Sequence, residues 1–272
     1  MKLPEGTPKR NPDVLSRILA ETRRTLDTSA AHLRALESEL RDARPPRRFG
    51  LALRSDRVAV IAEIKRRSPS AGEINAALDP VDLATAYATG GAAAISVLTE
   101  GPHFGGSLTD LRAVSSRVSC PTLRKDFILD RVQLLEARAG GAAAALLIVR
   151  ALPQRELIRL LAAAREIGLE ALVEAHDELE LARAVDAGAD IIGVNARNLD
   201  DFSMDAATAL ELIARIPRHL IAVAESGMSS EADVLRAAAA GADAVLVGGA
   251  LAAAREPARL VRTLAGVPRH GR

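Results

Sequence analysis

The sequence predicts an α/β protein: eight parallel strands, each followed by a helix, closed into a (β/α)8 TIM barrel with an N-terminal helical extension. Three observations carry this expectation. Eight short apolar runs alternate with longer amphipathic stretches over about 210–220 residues, the size of such a barrel. A Gly-Ala step recurs at Gly91, Gly141, Gly188 and Gly241, at spacings of 50, 47 and 53 residues. Charged or small residues close most of the runs at their C-terminal ends, the face where barrels of this kind carry their chemistry.

In chain order the runs are 58–65, 93–99, 121–125, 143–149, 170–174, 191–195, 220–225 and 244–248. Each is rich in Val, Ile, Leu and Ala and apolar on both faces, as a parallel strand covered by helices must be. Stretches such as 154–167 and 231–240 supply the helices between them. A doubly wound open sheet would use the same alternation, but eight evenly spaced units favour closure. Glycine just past a helix end supplies the left-handed residue that stops the helix. The four Gly-Ala steps precede strands two, four, six and eight, so one βαβα unit is repeated four times.

Residues 1–48 stand apart from the repeat as an extension, and 49–272 form the catalytic barrel as a single structural domain. The stretch 11–26 reads as an amphipathic helix with Val14, Ile18 and Leu19 on one side, and 30–43 as a second. Pro45-Pro46 then breaks the chain. Two readings stay open for the extension: a packing element, or a lid over one end of the barrel.

Composition excludes several classes. The 272 residues carry 36 Lys+Arg against 35 Asp+Glu, and only 2% aromatics. The one dense basic cluster, residues 44–48, is short and broken by proline, so neither the basic stripe nor the stacking platforms of a nucleic-acid binder are present. The single cysteine, Cys120, has no partner for an intrachain disulfide and reads as a small core residue. No apolar run reaches the roughly 18–20 residues of a membrane helix, and the first thirty residues are charged throughout. A soluble, cytoplasmic protein is expected, with no nucleic acid or membrane as partner.

The strand ends supply the chemistry. Run one ends Glu63-Ile64-Lys65, and residues two apart on a strand share a face, so Glu63 and Lys65 point inward together. Run three ends in Lys125, run five in Glu174, run six in Asn195 with Arg197 beyond, and run seven in Glu225-Ser226-Gly227. Two lysines and several glutamates on one rim are costly to bury without mutual pairing or substrate contact. They make two acid–base couples, suited to a reaction with several proton transfers. A Schiff base through Lys125 or Lys65 is a chemical alternative. Ser226-Gly227 and Gly248-Gly249 place small residues at the ends of strands seven and eight, where barrels commonly bind phosphate, although such glycines also serve tight turns. No dinucleotide fingerprint, Walker loop or metal-spaced histidine pair is present, so no cofactor and no metal are expected. His176 reads as a cap or surface decoration of the helix that follows, and His103 as a loop residue beside Phe104.

Seven motifs stand in order at these positions: IAEIKRRSPSAG (61–72), ISVLTEGPHFGGS (95–107), LRKDFILD (123–130), LLIVRAL (146–152), LVEAHD (172–177), VNARNL (194–199) and VAESGM (223–228). With them the chain, over nearly its whole length, resembles the indole-3-glycerol phosphate synthase family of tryptophan biosynthesis. The resemblance implies a cofactor-free carbon–carbon lyase acting on a small phosphorylated anthranilate derivative. The reaction converts 1-(2-carboxyphenylamino)-1-deoxy-D-ribulose 5-phosphate to indole-3-glycerol phosphate, CO2 and water.

By similarity Lys125 is the general acid for ring closure, and Glu174 assists by stabilising positive charge or acting as base. Lys65 holds the substrate carboxylate and serves dehydration, with Glu63 as its partner. Asn195 and Glu225 orient the substrate, and Arg197 keeps the site's charges in register. Phe104 and Phe127 wall the anthranilate ring. Ser68, Ser226 and Leu246 fall at substrate-contacting positions, and Gly227, Gly248 and Gly249 at phosphate-binding ones. The N-terminal helices resemble the family's extension over the active-site mouth, and the expected assembly is a monomer or weak homodimer. Two segments depart from the family pattern: Gly-Ala-Ala-Ala before strand four, and Val-Gly-Gly-Ala-Leu in the last phosphate loop. Backbone donors survive both changes. Another phosphate-handling isomerase or epimerase barrel would need a different acid–base set, and a non-catalytic metabolite-binding barrel would not need both lysines and Glu174.

Overall fold

Eight parallel strands pair only with their neighbours in sequence until the last meets the first. In the computed structural model, which describes residues 14–41, 45–69, 72–75, 78–199 and 202–270, the strands are β1 (Ala59–Ile64), β2 (Ala94–Leu98), β3 (Thr122–Lys125), β4 (Ala144–Ile148), β5 (Glu170–Ala175), β6 (Ile191–Asn195), β7 (Ile221–Glu225) and β8 (Ala244–Val247). Ala59 pairs with Ala244 and Ile61 with Ala94, so β1 joins β8 and β2 and the sheet closes. The open-sheet alternative is thereby excluded. Nearly every strand residue is buried, because one face packs inside the barrel and the other under the helices.

The helices after the strands are α4 (Pro80–Gly90), α5 (Leu108–Arg117), α6 (Arg131–Ala139), α7 (Gln154–Glu166), α8 (Glu178–Asp186), α9 (Ala206–Arg215), α10 (Glu231–Ala239), the short α11 (Gly249–Ala252) and α12 (Pro257–Leu264). Short polar side chains start six of them: Asp79, Ser107, Asp130, Asp177, Asp205 and Ser230 each accept a first-turn N–H. At the other end, Gly91, Gly141, Gly188 and Gly241 all adopt positive φ, between 80° and 95°. The recurring Gly-Ala step is therefore a helix stop, as its spacing predicts.

Before the barrel come α1 (Val14–Thr25), α2 (Ala30–Arg41) and the single turn α3 (Phe49–Ala52). Residues 11–13 and 42–44, expected at the ends of the first two helices, lie outside the described residues. Leu15, Ile18 and Leu19 of α1 join the main apolar core. Leu36 of α2 packs with Val132 and Leu135 of α6. Arg131–Glu37 at 3.1 Å and His32–Glu136 at 3.2 Å flank that contact. The turn α3 floors the barrel. Gly50 donates its N–H to Glu170 Oε2 at 2.6 Å and lies against Ile191 and Ile221, where β5, β6 and β7 begin. Cys120 is half-buried and packs against the core. No described helix is long and apolar enough to cross a membrane.

Besides the turn α3, two further elements were not expected: a two-stranded hairpin after β1, pairing Arg67–Ser68 with Gly72–Glu73, and a 3-10 turn, Val149–Ala151, after β4. Ser70 and Ala71 of the first motif lie outside the described residues.

Candidate active site

A cavity of about 290 Å³ opens at the C-terminal mouth of the barrel. Every residue singled out from the sequence lines it: Glu63, Lys65, Ser68, Phe104, Lys125, Phe127, Glu174, Asn195, Arg197, Glu225, Ser226, Gly227, Leu246, Gly248 and Gly249. Its lining includes no residue of α1 or α2. The strand period explains the convergence. Alternate residues of a barrel strand face inward, so the last inward position of β1, β3, β5 and β7 delivers Glu63, Lys125, Glu174 and Glu225.

Lys125 stands among three carboxylates. Its Nζ lies 3.4 Å from Glu174 Oε2, 3.6 Å from Glu225 Oε2 and 4.0 Å from Glu63 Oε2. Lys65 Nζ lies 2.8 Å from Glu63 Oε1, so Glu63 bridges the two lysines. Two glycines make room for these groups. An added Cβ on Gly193 would collide with Glu225 Oε1, and one on Gly248 would collide with Glu63 Oε1 and stand 3.1 Å from Lys65 Nζ. Asn195 Oδ1 accepts from Ser226 Oγ at 2.7 Å and from the Arg197 N–H at 3.0 Å. Ser226 itself adopts φ 65°, a left-handed conformation uncommon for a residue with a side chain and frequent at functional sites.

Loops carry the walls. Arg66 grips Asp110 through two bonds of 2.6 and 3.1 Å, and Arg67 reaches the carbonyls of Gly101 and Pro102. These contacts tie the hairpin that carries Ser68 to the loop after β2 and to the first turn of α5. In that loop Glu100 Oε2 accepts the N–H groups of His103 and Phe104 at 2.8 and 2.9 Å, and Oε1 meets His103 Nδ1 at 2.7 Å. Phe104 is thereby set 6.2 Å, centroid to centroid, from Phe127, with the rings tilted by 44°. Arg197 Nη1 donates to Phe202 O at 3.4 Å within its own loop.

Burial and charge oppose each other here. Burial works against the Lys125 ammonium, but Glu174, Glu225 and Glu63 outweigh it and hold the group protonated well above its ordinary range. Burial would raise Glu174, yet Lys125, His176 and Asn195 keep it ionised below the usual carboxylate range. In Glu63, Lys65 and then Lys125 outweigh burial in the same sense. Glu225 goes the other way: burial first and the charge of Glu174 second push it up to about 8. Lys65 and Lys125 offset burial for Glu63, and Lys125 and His176 do so for Glu174, whereas at Glu225 burial and the charge of Glu174 outweigh Lys125. Oε2 of Glu174 and both oxygens of Glu225 have no hydrogen-bond partner among the described residues, although they are buried. Such atoms at a cavity wall are poised to meet a ligand. Among the described residues no group of three or more His, Cys, Asp or Glu could hold a metal ion.

A family profile described as indole-3-glycerol phosphate synthase matches residues 15–264. The chain belongs to the indole-3-glycerol phosphate synthase family. An indole-3-glycerol phosphate synthase of Streptomyces griseus is 51% identical over 259 residues, covering 94% of this chain and 96% of the relative. One of Parafrankia sp. is 50% identical over 238 residues, covering 88% and 89%. Among solved structures, a 3-hexulose-6-phosphate synthase superposes with a TM-score of 0.61 over 76% of this chain and 98% of its own, at 17% identity. A thiamine phosphate pyrophosphorylase from Pyrococcus furiosus does so at 0.58, 78%, 95% and 15%. At those identities the likeness shows the fold alone.

Within this family's framework, one sequence expectation is corrected. His176 neither caps nor decorates α8. Asp177 is the cap, accepting the Glu180 N–H at 2.8 Å. The His176 side chain is 4% exposed and turns inward, with Nε2 3.4 Å from Glu174 Oε1 and Nδ1 2.9 Å from Glu180 Oε2. The signal was in the sequence. His176 is two residues beyond Glu174 on an extended backbone, hence on its face, and four before Glu180. Glu100, Leu146, Ile148 and Gly193 also shape the site and were not singled out. Gly193 carries no chemistry of its own, and only its distance to Glu225 gives it meaning.

Proposed function

We propose that this chain, as an indole-3-glycerol phosphate synthase, converts 1-(2-carboxyphenylamino)-1-deoxy-D-ribulose 5-phosphate to indole-3-glycerol phosphate with loss of CO2 and water, a step of tryptophan biosynthesis. The observation that carries the reading is Lys125 held charged by three buried carboxylates at the barrel mouth, beside a separate Lys65–Glu63 pair.

The aromatic carbon bearing the carboxylate attacks the ketone carbon, and Lys125 gives its proton to the oxygen as that oxygen gains charge. The carboxylates that raise Lys125 do not prevent this, because a developing alkoxide is a far stronger base than the amine left behind. Glu174 stabilises the cationic ring formed by attack. Loss of CO2 from the attacking ring carbon, whose C–C bond electrons return to the ring, restores aromaticity. In dehydration the new hydroxyl leaves as water with a proton from one acid while a base takes a proton from the indoline. Lys65 and Glu63, 2.8 Å apart, supply such a couple. Lys65 also pairs with the substrate carboxylate before it leaves.

Glu225, neutral at working pH, donates a hydrogen bond to the substrate, and Asn195, fixed by Ser226, orients it. Phe104, Phe127, Leu246 and Ser68 line the substrate's path, and Arg197 keeps its loop in place. Gly227, Gly248 and Gly249 offer backbone N–H groups to the phosphate. Residues 1–48 serve as an extension on the barrel formed by 49–272. A cytoplasmic monomer or weak homodimer completes the reading.

Incubation with the substrate, followed by indole fluorescence, tests it. Product should appear without added metal or cofactor. A folded chain that gives no indole signal leaves a metabolite-binding barrel instead.

A further inference from the structure

Behind Glu174 runs a line of charged groups that the mechanism above does not use. Arg150, on the 3-10 turn after β4, donates from Nε to Glu180 Oε1 at 2.7 Å and from Nη1 to Asn198 Oδ1 at 3.3 Å. The other oxygen of Glu180 accepts the His176 N–H at 2.8 Å and meets His176 Nδ1 at 2.9 Å. His176 Nε2 then faces Glu174 Oε1 at 3.4 Å and has no hydrogen-bond partner among the described residues. The far oxygen of Glu174 faces Lys125. Four elements, the 3-10 turn, α8, the end of β5 and β3, thus build an alternating series: Arg150, Glu180, His176, Glu174, Lys125. Glu225, Glu63 and Asn195 complete the charged and polar surroundings of Glu174.

Both ring nitrogens of His176 look at carboxylates, and a ring nitrogen meets a carboxylate favourably only as a donor. A neutral imidazole has one N–H and an imidazolium has two, so this setting calls for the cation. The cation sits against one oxygen of Glu174 and leaves the other for the cavity. We propose that His176, clamped between Glu174 and Glu180 and anchored through Glu180 to Arg150, is a positioning residue that fixes the rotamer and charge of Glu174 for its work with Lys125. The inference rests on the indole-forming reading of the same site. The electrostatics agree with the geometry: burial works to lower the imidazole, and Glu174 and Glu180 outweigh it, raising it to about 9.

The test compares wild type, His176→Ala and His176→Gln in steady-state indole formation across pH, with ¹⁵N NMR titration of the imidazole in wild type and Glu180→Gln. In His176→Ala, kcat should fall by about 10–10²-fold with KM little changed. The acid limb of kcat should move up by about one to three pH units, because Glu174 loses its cationic neighbour and protonates sooner. His176→Gln, which restores a donor without the charge, should recover part of kcat. In wild type the imidazole should stay doubly protonated through neutral pH and titrate lower in Glu180→Gln. A folded His176→Ala with a wild-type acid limb, or a wild-type imidazole neutral at pH 7, overturns the proposal. If the alanine variant does not fold, the glutamine variant and the titration decide. A wild-type chain without turnover would overturn the indole-forming reading, while the titration would still show whether His176 is clamped.

Discussion

A methyl group on Gly193 would collide with Oε1 of Glu225. The register explains why the two meet: Gly193 of β6 lies opposite Val223 of β7, and Glu225 follows one inward position later. The carboxyl leans back over the space that the missing side chain leaves. Gly193→Ala should therefore turn Glu225 away from Lys125. Expected is a fall in kcat of up to about 10²-fold, with a stability cost of about 1–3 kcal/mol from overpacking. Indole fluorescence and denaturant unfolding measure the two. Unchanged kinetics in a folded variant would show that the placement of Glu225 is irrelevant to turnover.

Lys125 is the group whose removal should cost most. Lys125→Ala should lower kcat by roughly 10²–10⁴ while the circular dichroism spectrum is retained. Lys125→Arg should lose activity to a similar degree, because a guanidinium keeps its proton at any working pH. Near-normal turnover in either variant would remove Lys125 from the general-acid role.

Glu225 gives the fold a pH signature. Burial and the neighbouring charge of Glu174 push Glu225 up to about 8 from its ordinary value of 4.5. Between those values the unfolded chain releases a proton that the folded chain holds, so this group makes stability fall as pH rises through the window. Glu174 and Glu63 act oppositely: their contribution is present above the ordinary carboxylate range and is lost as pH falls through their lowered values. Glu225→Gln should raise Tm relative to wild type increasingly between about pH 5 and 8. Each kcal/mol relieved should appear as about 2–4 °C. Below the ordinary value the difference should vanish. A constant difference across pH, read by scanning calorimetry, would contradict a protonated Glu225.

Arg66 should govern substrate binding rather than chemistry. Its two bonds to Asp110 and one to the Gly105 carbonyl at 3.0 Å fasten the hairpin that carries Ser68. A hydrogen bond between charged groups contributes about 1.5–3 kcal/mol. Arg66→Ala should raise KM by about tenfold or more and leave kcat within about threefold, if that energy holds the loop in its binding form. A drop in kcat at constant KM would instead tie the hairpin to the proton transfers.

The sequence pointed to a barrel and singled out the charged residues that line its mouth. Two periodicities, an apolar run every unit and a helix-stopping glycine every second unit, favoured a closed barrel over an open sheet; Gly91, Gly141, Gly188 and Gly241 adopt the left-handed φ of helix stops, and the pairing of β1 with β8 decided closure. It also marked the two lysines that line the cavity. Of the four in the chain, Lys65 and Lys125 alone follow Lys9, in a protein that elsewhere uses arginine for positive charge. Only the tertiary structure decided how those groups share their protons. Whether Glu225 or Glu174 stays neutral depends on distances among residues contributed by β1, β3, β5 and β7, and charge interactions in a buried site vary with those distances and with burial. His176 shows the same division. Its place beside Glu174 was legible as spacing, but its inward turn required Asp177 to take the cap and Arg150 to anchor Glu180 from another element.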